Sequence, residues 1–180
     1  MPSIIAHPAV AGALAPWLGR RPMSWALILA GALCAIVPDL DVVGERFGVR
    51  YESMYGHRGL THSLFFAACL AAALTAAMPR VRAAIGSVRV FAFLFLCTAS
   101  HGVLDAFTNG GQGVAFLAPF SDARWFAPWR PIRVSPLSVA AFFDGRAPRI
   151  LASELRWVFA PCAAIGLAGL VFGRASRRAR

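Results

Sequence analysis

The stretch His57-Arg58-Gly59-Leu60-Thr61-His62-Ser63 stands at the start of an apolar run that continues to Met78. It contains two of the four histidines in the chain. A polar motif joined to an apolar run indicates a helix that begins at a membrane face and carries ionisable groups there. The sequence therefore predicts that polar side chains gather at one face of a membrane bundle.

Composition places the whole chain in the membrane class. Of its 180 residues, 58% are hydrophobic and only 14% are charged, whereas soluble domains have roughly 25% charged residues. We predict one all-α domain over residues 1–180: a polytopic membrane bundle of about five apolar helices with a long irregular outer loop. The net charge of +10 fits membrane anchoring better than nucleic-acid binding, because no basic stripe with interleaved aromatic residues lies in a soluble segment.

The predicted helices follow the apolar segments. These segments cover residues 2–18, 23–37, 62–78, 90–107 and about 155–172. Thr61 predicts the N-cap of the third helix, and Pro38 predicts the end of the second. Residues 108–149 are rich in glycine, proline, arginine and aromatic residues, which is typical of an interfacial lid. The first ten residues lack the basic region of a signal peptide, so we expect His7 to remain on the mature chain.

Arginines predict the orientation in the membrane. Passing the segments alternately through a bilayer brings three arginine groups to one side, with no acidic residue among them: Arg20 and Arg21; Arg80, Arg82 and Arg89; and Arg174, Arg177, Arg178 and Arg180. By the positive-inside rule this side is cytoplasmic. The histidines and three of the aspartates then fall together on the outer face, although further arginines, among them Arg46, Arg50 and those between Arg124 and Arg149, lie there too.

Each candidate ligand has an ordinary structural explanation when it is taken alone. His101 and Asp105 are four residues apart, so they share a helix face about 6 Å apart, but a buried pair of this kind is often only hydrogen-bonded. Asp39 and Asp41 follow a proline, as in many loop turns. His7 alone is most simply a core histidine. Four histidines and three aspartates at one membrane face, however, favour a metal site with imidazole and carboxylate ligands.

The sequence leaves the roles of His57 and His62 open, because residues five apart do not share a helix face. Either imidazole can be the ligand, or His57 and Arg58 contact an anionic substrate while His62 binds metal. Asp105 is the expected central or bridging ligand. A divalent ion held by such residues lowers the pKa of a bound water toward about 7, and Arg58 is suited to clamp a phosphate. The predicted metal ligands are thus His7, Asp39, His62, His101 and Asp105, and the predicted catalytic residues are Asp41, His57 and Arg58.

The motifs resemble those of a known family, the membrane-bound metal-dependent hydrolases of the YdjM type. The resemblance covers most of the chain and is carried by His7, Pro38-Asp39-x-Asp41, His57-Arg58-Gly59-x-Thr61-His62-Ser63, Ser100-His101-x-x-Leu104-Asp105-x-x-Thr108, Pro119-Phe120 and Ser135-Pro136-Leu137. That family is distantly similar to the all-helical zinc-dependent phospholipase C and P1 nuclease group. The resemblance implies one metal site built from Asp39 or Asp41, His57 or His62, His101 and Asp105, and a second ion held by His7 and Asp105.

The same comparison sets a limit on the site. No histidine follows His101, so the third metal site of the phospholipase group cannot be built here in the same way. The remaining carboxylates are weak candidates for ligands, and Glu154 is expected instead to be a favourable charge at the N-terminus of the last helix.

Three readings of function follow. The first is a bacterial inner-membrane hydrolase that uses one or two divalent ions, expected to be zinc, on a small phosphoester, with a membrane lipid as one possible substrate. The second is a non-catalytic membrane protein with a structural metal site. The third is a small transporter or proton relay, since intramembrane His and Asp also mark ion paths. A hydrolase needs an open coordination position, whereas a structural site is closed by four protein ligands.

Overall fold

The computed structural model of the protein describes residues 1–18, 24–136 and 138–178. Side chains at position 139 and from position 174 onward are not described. The predicted arginine loop at Arg20 and Arg21, Leu137 of the predicted Ser135-Pro136-Leu137 loop, and Arg180 of the tail therefore lie outside the described residues.

The described part of the chain is all-helical, which confirms the all-α part of the predicted fold class. Its α-helices are α1 (Ala9–Leu14), α2 (Trp25–Cys34), α3 (Val42–Glu45), α4 (Leu64–Ala77), α5 (Pro79–Ile85), α6 (Ser87–Ala106), α7 (Val139–Phe143), α8 (Ala147–Glu154) and α9 (Ala160–Arg178). Short 3-10 turns cover Ala15–Leu18, Val37–Asp41 and Leu60–His62, and a π-turn, Leu155–Phe159, joins α8 to α9. Among the described residues, strand-like pairing is limited to two isolated bridges, one of which joins Thr108 to Ile132.

Two helices are long and apolar enough to cross a membrane: α6, and the continuous helix Ala147–Gly173 that α8 and α9 form. The number rises to four if each of two bent pairs is one span. In these pairs α2 is followed after a 44° bend by Val37–Glu45, and α4 is followed after a 93° bend by α5. The described residues thus contain two to four candidate spans, and the count of about five apolar helices is not confirmed.

Several helix boundaries differ from the predicted ones. The first helix begins at Ala9, because residues 4–8 form turns. The second ends at Cys34, so Pro38 lies inside the following 3-10 turn instead of ending the helix. The fourth is close to its prediction, since α6 covers Ser87–Ala106.

The predicted N-cap of α4 is wrong. Ser63 is the cap, since its hydroxyl accepts a hydrogen bond from the Phe66 amide at 3.0 Å. Thr61 is not available for this role because its own hydroxyl donates to Asp41 Oδ2 at 2.6 Å. The prediction recognised the correct kind of residue but placed it two positions too early, because a contact across the chain occupies Thr61.

The predicted start of the last helix is also wrong, and with it the role of Glu154. The helix begins at Ala147, with a proline in its first turn, where the missing amide hydrogen costs nothing. Glu154 therefore lies at the end of α8, far from the helix N-terminus, and it is fully buried. Its carboxylate accepts hydrogen bonds from the amide and the hydroxyl of Ser3.

The main hydrophobic core surrounds α6, which packs against α4, α2 and α5. A Cβ atom at Gly31 would lie 2.5 Å from Cε1 of Phe93, so the absence of a side chain lets α2 approach α6 closely. In contrast, most of the helix Ala147–Gly173 is exposed, including Leu155 and Leu167. Exposed apolar side chains in this number are expected where lipid covers the surface.

Candidate metal centre

Four buried side chains from three separate segments meet at the C-terminal end of α6. They are Asp39, His62, His101 and Asp105. Asp39 comes from the turn after α2, His62 from the turn before α4, and the other two from one face of α6. One potential ligand atom from each lies within 4.8 Å of those of all the others. Four of the five residues that the sequence predicted as metal ligands are thus brought to one point, and His7 is not in this group.

The shortest approaches in this group join imidazole nitrogens to carboxylate oxygens. Nε2 of His101 lies 3.1 Å from Oδ1 of Asp39. Nε2 of His62 lies 3.7 Å from the same oxygen and 3.6 Å from Oδ2 of Asp105. No residue of the group is more than 8% exposed. The arrangement surrounds a small buried point with two nitrogens and two carboxylates.

Several of these atoms have no hydrogen-bond partner among the described residues. They are Oδ2 of Asp39, Nε2 of His62 and Oδ1 of Asp105, whereas Oδ2 of Asp105 forms an ion pair with Nε of Arg58 at 2.9 Å. A buried polar atom without a partner costs about 1–3 kcal/mol, and more when it is charged. A divalent cation at this point would satisfy all of them at once, and two imidazoles with two carboxylates form a donor set that zinc accepts. The residues present therefore fit a metal ion.

Hydrogen bonds on the far side of each ring leave Nε2 of both histidines available to a cation. Nδ1 of His101 lies 2.7 Å from the carbonyl oxygen of Ala35, which can only accept, so Nδ1 carries the proton. Nδ1 of His62 lies 3.2 Å from Oδ2 of Asp41. A carbonyl or carboxylate behind the ring is the usual way in which metal-binding histidines are oriented.

Asp41 is the hub of a second group that stands behind His62. Besides His62, its carboxylate contacts Nδ1 of His57 at 2.8 Å, the Thr61 hydroxyl at 2.6 Å and the Arg58 amide at 3.2 Å. Asp41, His57 and His62 also form a possible metal-binding group of their own. His62 belongs to both groups of potential ligands, whereas His57 belongs only to the group around Asp41. The structure thus distinguishes two histidines that spacing left equivalent.

Arg58 points inward and is 1% exposed. Its Nε lies 2.9 Å from Oδ2 of Asp105, and its Nη atoms donate to the Gly110 carbonyl at 2.9 Å and the Thr108 hydroxyl at 3.0 Å. Its backbone φ is +65°, which is rare for a residue with a side chain and costs about 1–3 kcal/mol. Contacts on every side hold Arg58 in this conformation. Its guanidinium is therefore engaged with Asp105 and with the segment after α6.

His7 lies beside this group. Its ring stacks on that of His101, with centroids 3.8 Å apart and an interplanar angle of 13°. Its Nε2 is 4.0 Å from Oδ1 of Asp105, the amine of Met1 is 3.8 Å from the same oxygen, and neither ring nitrogen of His7 has a hydrogen-bond partner among the described residues. Burial lowers the pKa of His7 well below its usual value, so its ring is neutral and suited to bind a metal.

The surroundings of His62 favour a charged ring, in contrast to those of His7. Burial by itself opposes a charge on this imidazole, but the nearby carboxylates of Asp105, Asp39 and Asp41 outweigh burial and raise its pKa to about 10. Three carboxylates around one imidazole thus attract a positive charge to this point. A proton supplies that charge without metal, and a divalent ion would displace it.

Sequence reasoning missed the residues that support the centre through contacts distant in the chain. Gly102 is one, since a Cβ atom there would lie 2.8 Å from the carbonyl oxygen of His62. Ser3 and Glu154 are others: their hydrogen bonds fasten the segment that carries His7 to the last helix. The sequence signal for this pair was the position of Glu154 next to an apolar segment, because a carboxylate buried there needs a hydrogen-bond partner. The Thr108 hydroxyl also donates to the Asp105 carbonyl at 2.7 Å, so this threonine fastens the end of α6.

Comparison with known proteins gives a consistent result. The chain matches the profile of the YdjM inner membrane protein family over residues 4–179. It is 39% identical over 161 residues to the inner membrane protein YbcI of Escherichia coli strain K12, an alignment that covers 89% of this chain and 92% of that protein. No solved structure is significantly similar to it. The apolar helices, the buried group of histidines and aspartates, and these matches agree, and the chain belongs to the YdjM inner membrane protein family.

Proposed function

We propose that this membrane protein is a metal-dependent hydrolase that acts on a phosphoester. One observation carries the proposal: Asp39, His62, His101 and Asp105 bring potential ligand atoms to a common buried point, and atoms of Asp39, His62 and Asp105 have no hydrogen-bond partner there among the described residues. A purely structural polar cluster would satisfy these atoms by pairing them with one another. Zinc, when bound there, supplies a Lewis acid and lowers the pKa of a coordinated water.

Within this proposal the surrounding residues have distinct tasks. Asp41 holds the proton on Nδ1 of His62 and thereby orients that ring, and Arg58 fixes one oxygen of Asp105. These contacts favour positioning roles for Asp41 and Arg58 over the catalytic roles expected from the sequence. His57, which is hydrogen-bonded to Asp41, is the residue best placed to pass a proton to or from that carboxylate.

His7 and Asp105 are proposed to hold a second ion or to complete the shell of the first. Their support is the 4.0 Å separation of Nε2 and Oδ1, together with the absence of a hydrogen-bond partner for either atom in the described part of the chain. A lipid phosphoester is the favoured substrate, because the site lies in a membrane protein. The site is proposed to open to the outer face, which agrees with the position of Arg80 and Arg82 at the other end of α6.

A structural metal site is the rival function, and a specific observation favours it. Four protein ligands complete the tetrahedral shell of zinc, and three of the four are at most 3% exposed while Asp39 is 8% exposed. Such a site would leave no coordination position for water. Both functions therefore predict a bound metal ion, but only the hydrolase predicts turnover of a substrate.

Two measurements test the proposal on purified full-length protein. Metal analysis of the wild type, His101→Ala and Asp105→Ala is expected to show zinc in the wild type and its loss from both variants, with membrane insertion retained. Asp144→Asn is the matched control, because Asp144 is an exposed carboxylate outside the centre. Unchanged metal content in both ligand variants would reject them as ligands.

Turnover is then measured with bis(p-nitrophenyl) phosphate and with a fluorescent phospholipid in mixed micelles. The proposal expects hydrolysis that a chelator abolishes, that zinc restores, and that the Asp144→Asn control retains. Full zinc occupancy without turnover of either ester would favour the structural metal site. Turnover that is unaffected by the chelator would contradict a metal-dependent reaction.

A further inference from the structure

A polar pocket lies outside the metal centre, beside the start of the last candidate span. It has a volume of about 230 Å³, and its lining includes Asn109, Arg133, Arg146 and Arg149. None of its lining residues belongs to the group of potential metal ligands. The pocket is therefore a separate feature of the molecule that the proposed hydrolase function does not explain.

The three arginines that line this pocket carry uncompensated positive charge. All three are exposed. Among the described residues, no guanidinium of the three forms a hydrogen bond or an ion pair, and the nearby Asp144 forms no ion pair with them. Three like charges around one small cavity repel one another unless an anion lies between them. Arginine is also the side chain best suited to bind phosphate oxygens in pairs.

The walls of the pocket are fixed by hydrogen bonds from the backbone. The Val134 amide donates to Oδ1 of Asn109 at 3.0 Å, and the Arg133 amide donates to the Ser153 hydroxyl at 3.0 Å. These two bonds join Asn109, the segment of Arg133 and Val134, and α8. The arginines therefore project from a prepared frame, which lowers the entropy cost of binding a ligand.

Its position, at the start of a candidate membrane span, fits that of a lipid headgroup. Arg146 and Arg149 flank the first residue of the span Ala147–Gly173, and the exposed Leu151 and Leu155 follow one and two turns later. The beginning of a span lies at the level of the headgroups, where arginine commonly contacts lipid phosphate. Arginines at this end are also opposite to the Arg80 and Arg82 end of α6, so the positive-inside tendency does not account for them.

From these observations we infer that the pocket of Arg133, Arg146 and Arg149 binds a phosphate group, supplied by the headgroup of an anionic membrane lipid. Its volume suits a phosphate with a few adjoining atoms and excludes the acyl chains, which would lie along the exposed face of the last helix. Bound lipid would link the segment of Arg133 and Val134 to α8 without taking part in the chemistry of the metal centre.

The test uses full-length protein in nanodiscs that contain equal amounts of phosphatidylglycerol and phosphatidylcholine. The protein is released from the nanodiscs in the mass spectrometer, and the lipid that stays bound to it is measured by native mass spectrometry. The wild type is expected to retain phosphatidylglycerol, and the triple variant Arg133→Gln, Arg146→Gln, Arg149→Gln is expected to retain at least about fivefold less. The matched control, Arg80→Gln, Arg82→Gln, Arg89→Gln, makes the same change of charge at the other end of α6 and is expected to retain the wild-type amount.

Two further arms complete the test. In the first arm, inorganic phosphate is added to the protein in discs of phosphatidylcholine alone, and the thermal unfolding temperature is measured. A rise in this temperature that requires the three arginines would make free phosphate the source of the ligand. No rise would leave the lipid as the source. If the triple variant does not stay monodisperse with wild-type metal content, the single variants Arg133→Gln and Arg146→Gln are used, and each is expected to lose part of the lipid. Retention of phosphatidylglycerol at the wild-type level by these variants, or equal loss in the control, would overturn the inference.

Discussion

His62 is held on both sides of its ring, and this is the closest link between the two groups of the centre. Its Nδ1 faces Asp41 and its Nε2 faces Asp39 and Asp105. A carboxylate behind a ligand imidazole raises the basicity of the ring and fixes its direction. Asp41 is thus expected to affect metal binding although it does not lie in the ligand group around Asp105.

Replacement of Asp41 by asparagine tests this expectation. Asp41→Asn keeps the shape of the side chain but removes the charge behind His62, so the affinity for zinc is expected to fall by about 10–100-fold. Competition with a chelator of known affinity measures the change. Asp122→Asn, at an exposed position, is the control and should bind zinc as the wild type does. Equal affinity in both variants would exclude an orienting role for Asp41.

Gly102 offers a second test at the residue scale, because it determines how closely α6 approaches His62. In Gly102→Ala the added methyl would lie 2.8 Å from the His62 carbonyl oxygen and 3.2 Å from the ring of Phe116. We expect the backbone of His62 to move and zinc affinity to fall by about tenfold, since small displacements of a ligand weaken a metal site.

The matched control is Gly12→Ala in α1, where a Cβ atom meets nothing within 4 Å. This change should leave zinc binding unaffected and stabilise the helix by about 0.5–1 kcal/mol, because alanine is the better helix former. A loss of zinc in Gly12→Ala, or none in Gly102→Ala, would show that the close approach at Gly102 does not govern the site.

At the scale of elements, α6 organises the molecule. It supplies His101 and Asp105 one turn apart, it forms the centre of the main core, and it is a candidate span in its own right. Its periodicity and length made it predictable from the sequence. The shorter helices were less predictable. The turn before α1 carries His7 and the turn after α2 carries Asp39, so both helices are shorter than the apolar segments that contain them.

Glu154 connects the last helix to the N-terminal segment, and this connection can be measured. Loss of the carboxylate in Glu154→Gln is expected to lower the free energy of unfolding by about 1–3 kcal/mol, because Ser3 then loses a charged acceptor in a buried place. Thermal unfolding in detergent and hydrogen exchange over residues 1–8 report the change.

Ser3→Ala provides the second arm of a double-mutant cycle. If the two residues act through their mutual hydrogen bonds, the double variant should lose less stability than the sum of the single variants. Additive losses would mean that Glu154 acts independently of Ser3, and the segment that carries His7 would then be fastened by other contacts.

At the scale of the whole molecule, the arginines predict which end of the helix bundle faces the cytoplasm. We expect the metal centre and the lid to face outward and the Arg80 and Arg82 end of α6 to face the cytoplasm. In intact cells, a membrane-impermeant maleimide should therefore label Asp144→Cys directly, and label Arg82→Cys only after permeabilisation. The wild type, with its four native cysteines, gives the background. The opposite labelling pattern would reverse the orientation.

Much of this molecule was predictable from residue types and spacing. Hydropathy and low charge determined the membrane class and the all-helical fold, because a backbone in lipid must satisfy its hydrogen bonds within helices. Ionisable residues at membrane depth indicated His7, Asp39, His62, His101 and Asp105 as a candidate metal group, because a charged group in the membrane is costly and usually functional. The spacing of His101 and Asp105 could be read directly, since it depends on one helix alone.

Only the tertiary structure distinguished His62, whose Nε2 faces Asp39 and Asp105, from His57, whose Nδ1 faces Asp41. It also turned Arg58 inward toward Asp105 and fastened Ser3 to Glu154. These choices depend on contacts between residues that are distant in the chain, where periodicity carries no information. Local sequence determines which side chains are able to bind a cation, whereas the packing of the turns against α6 decides which of their atoms face it.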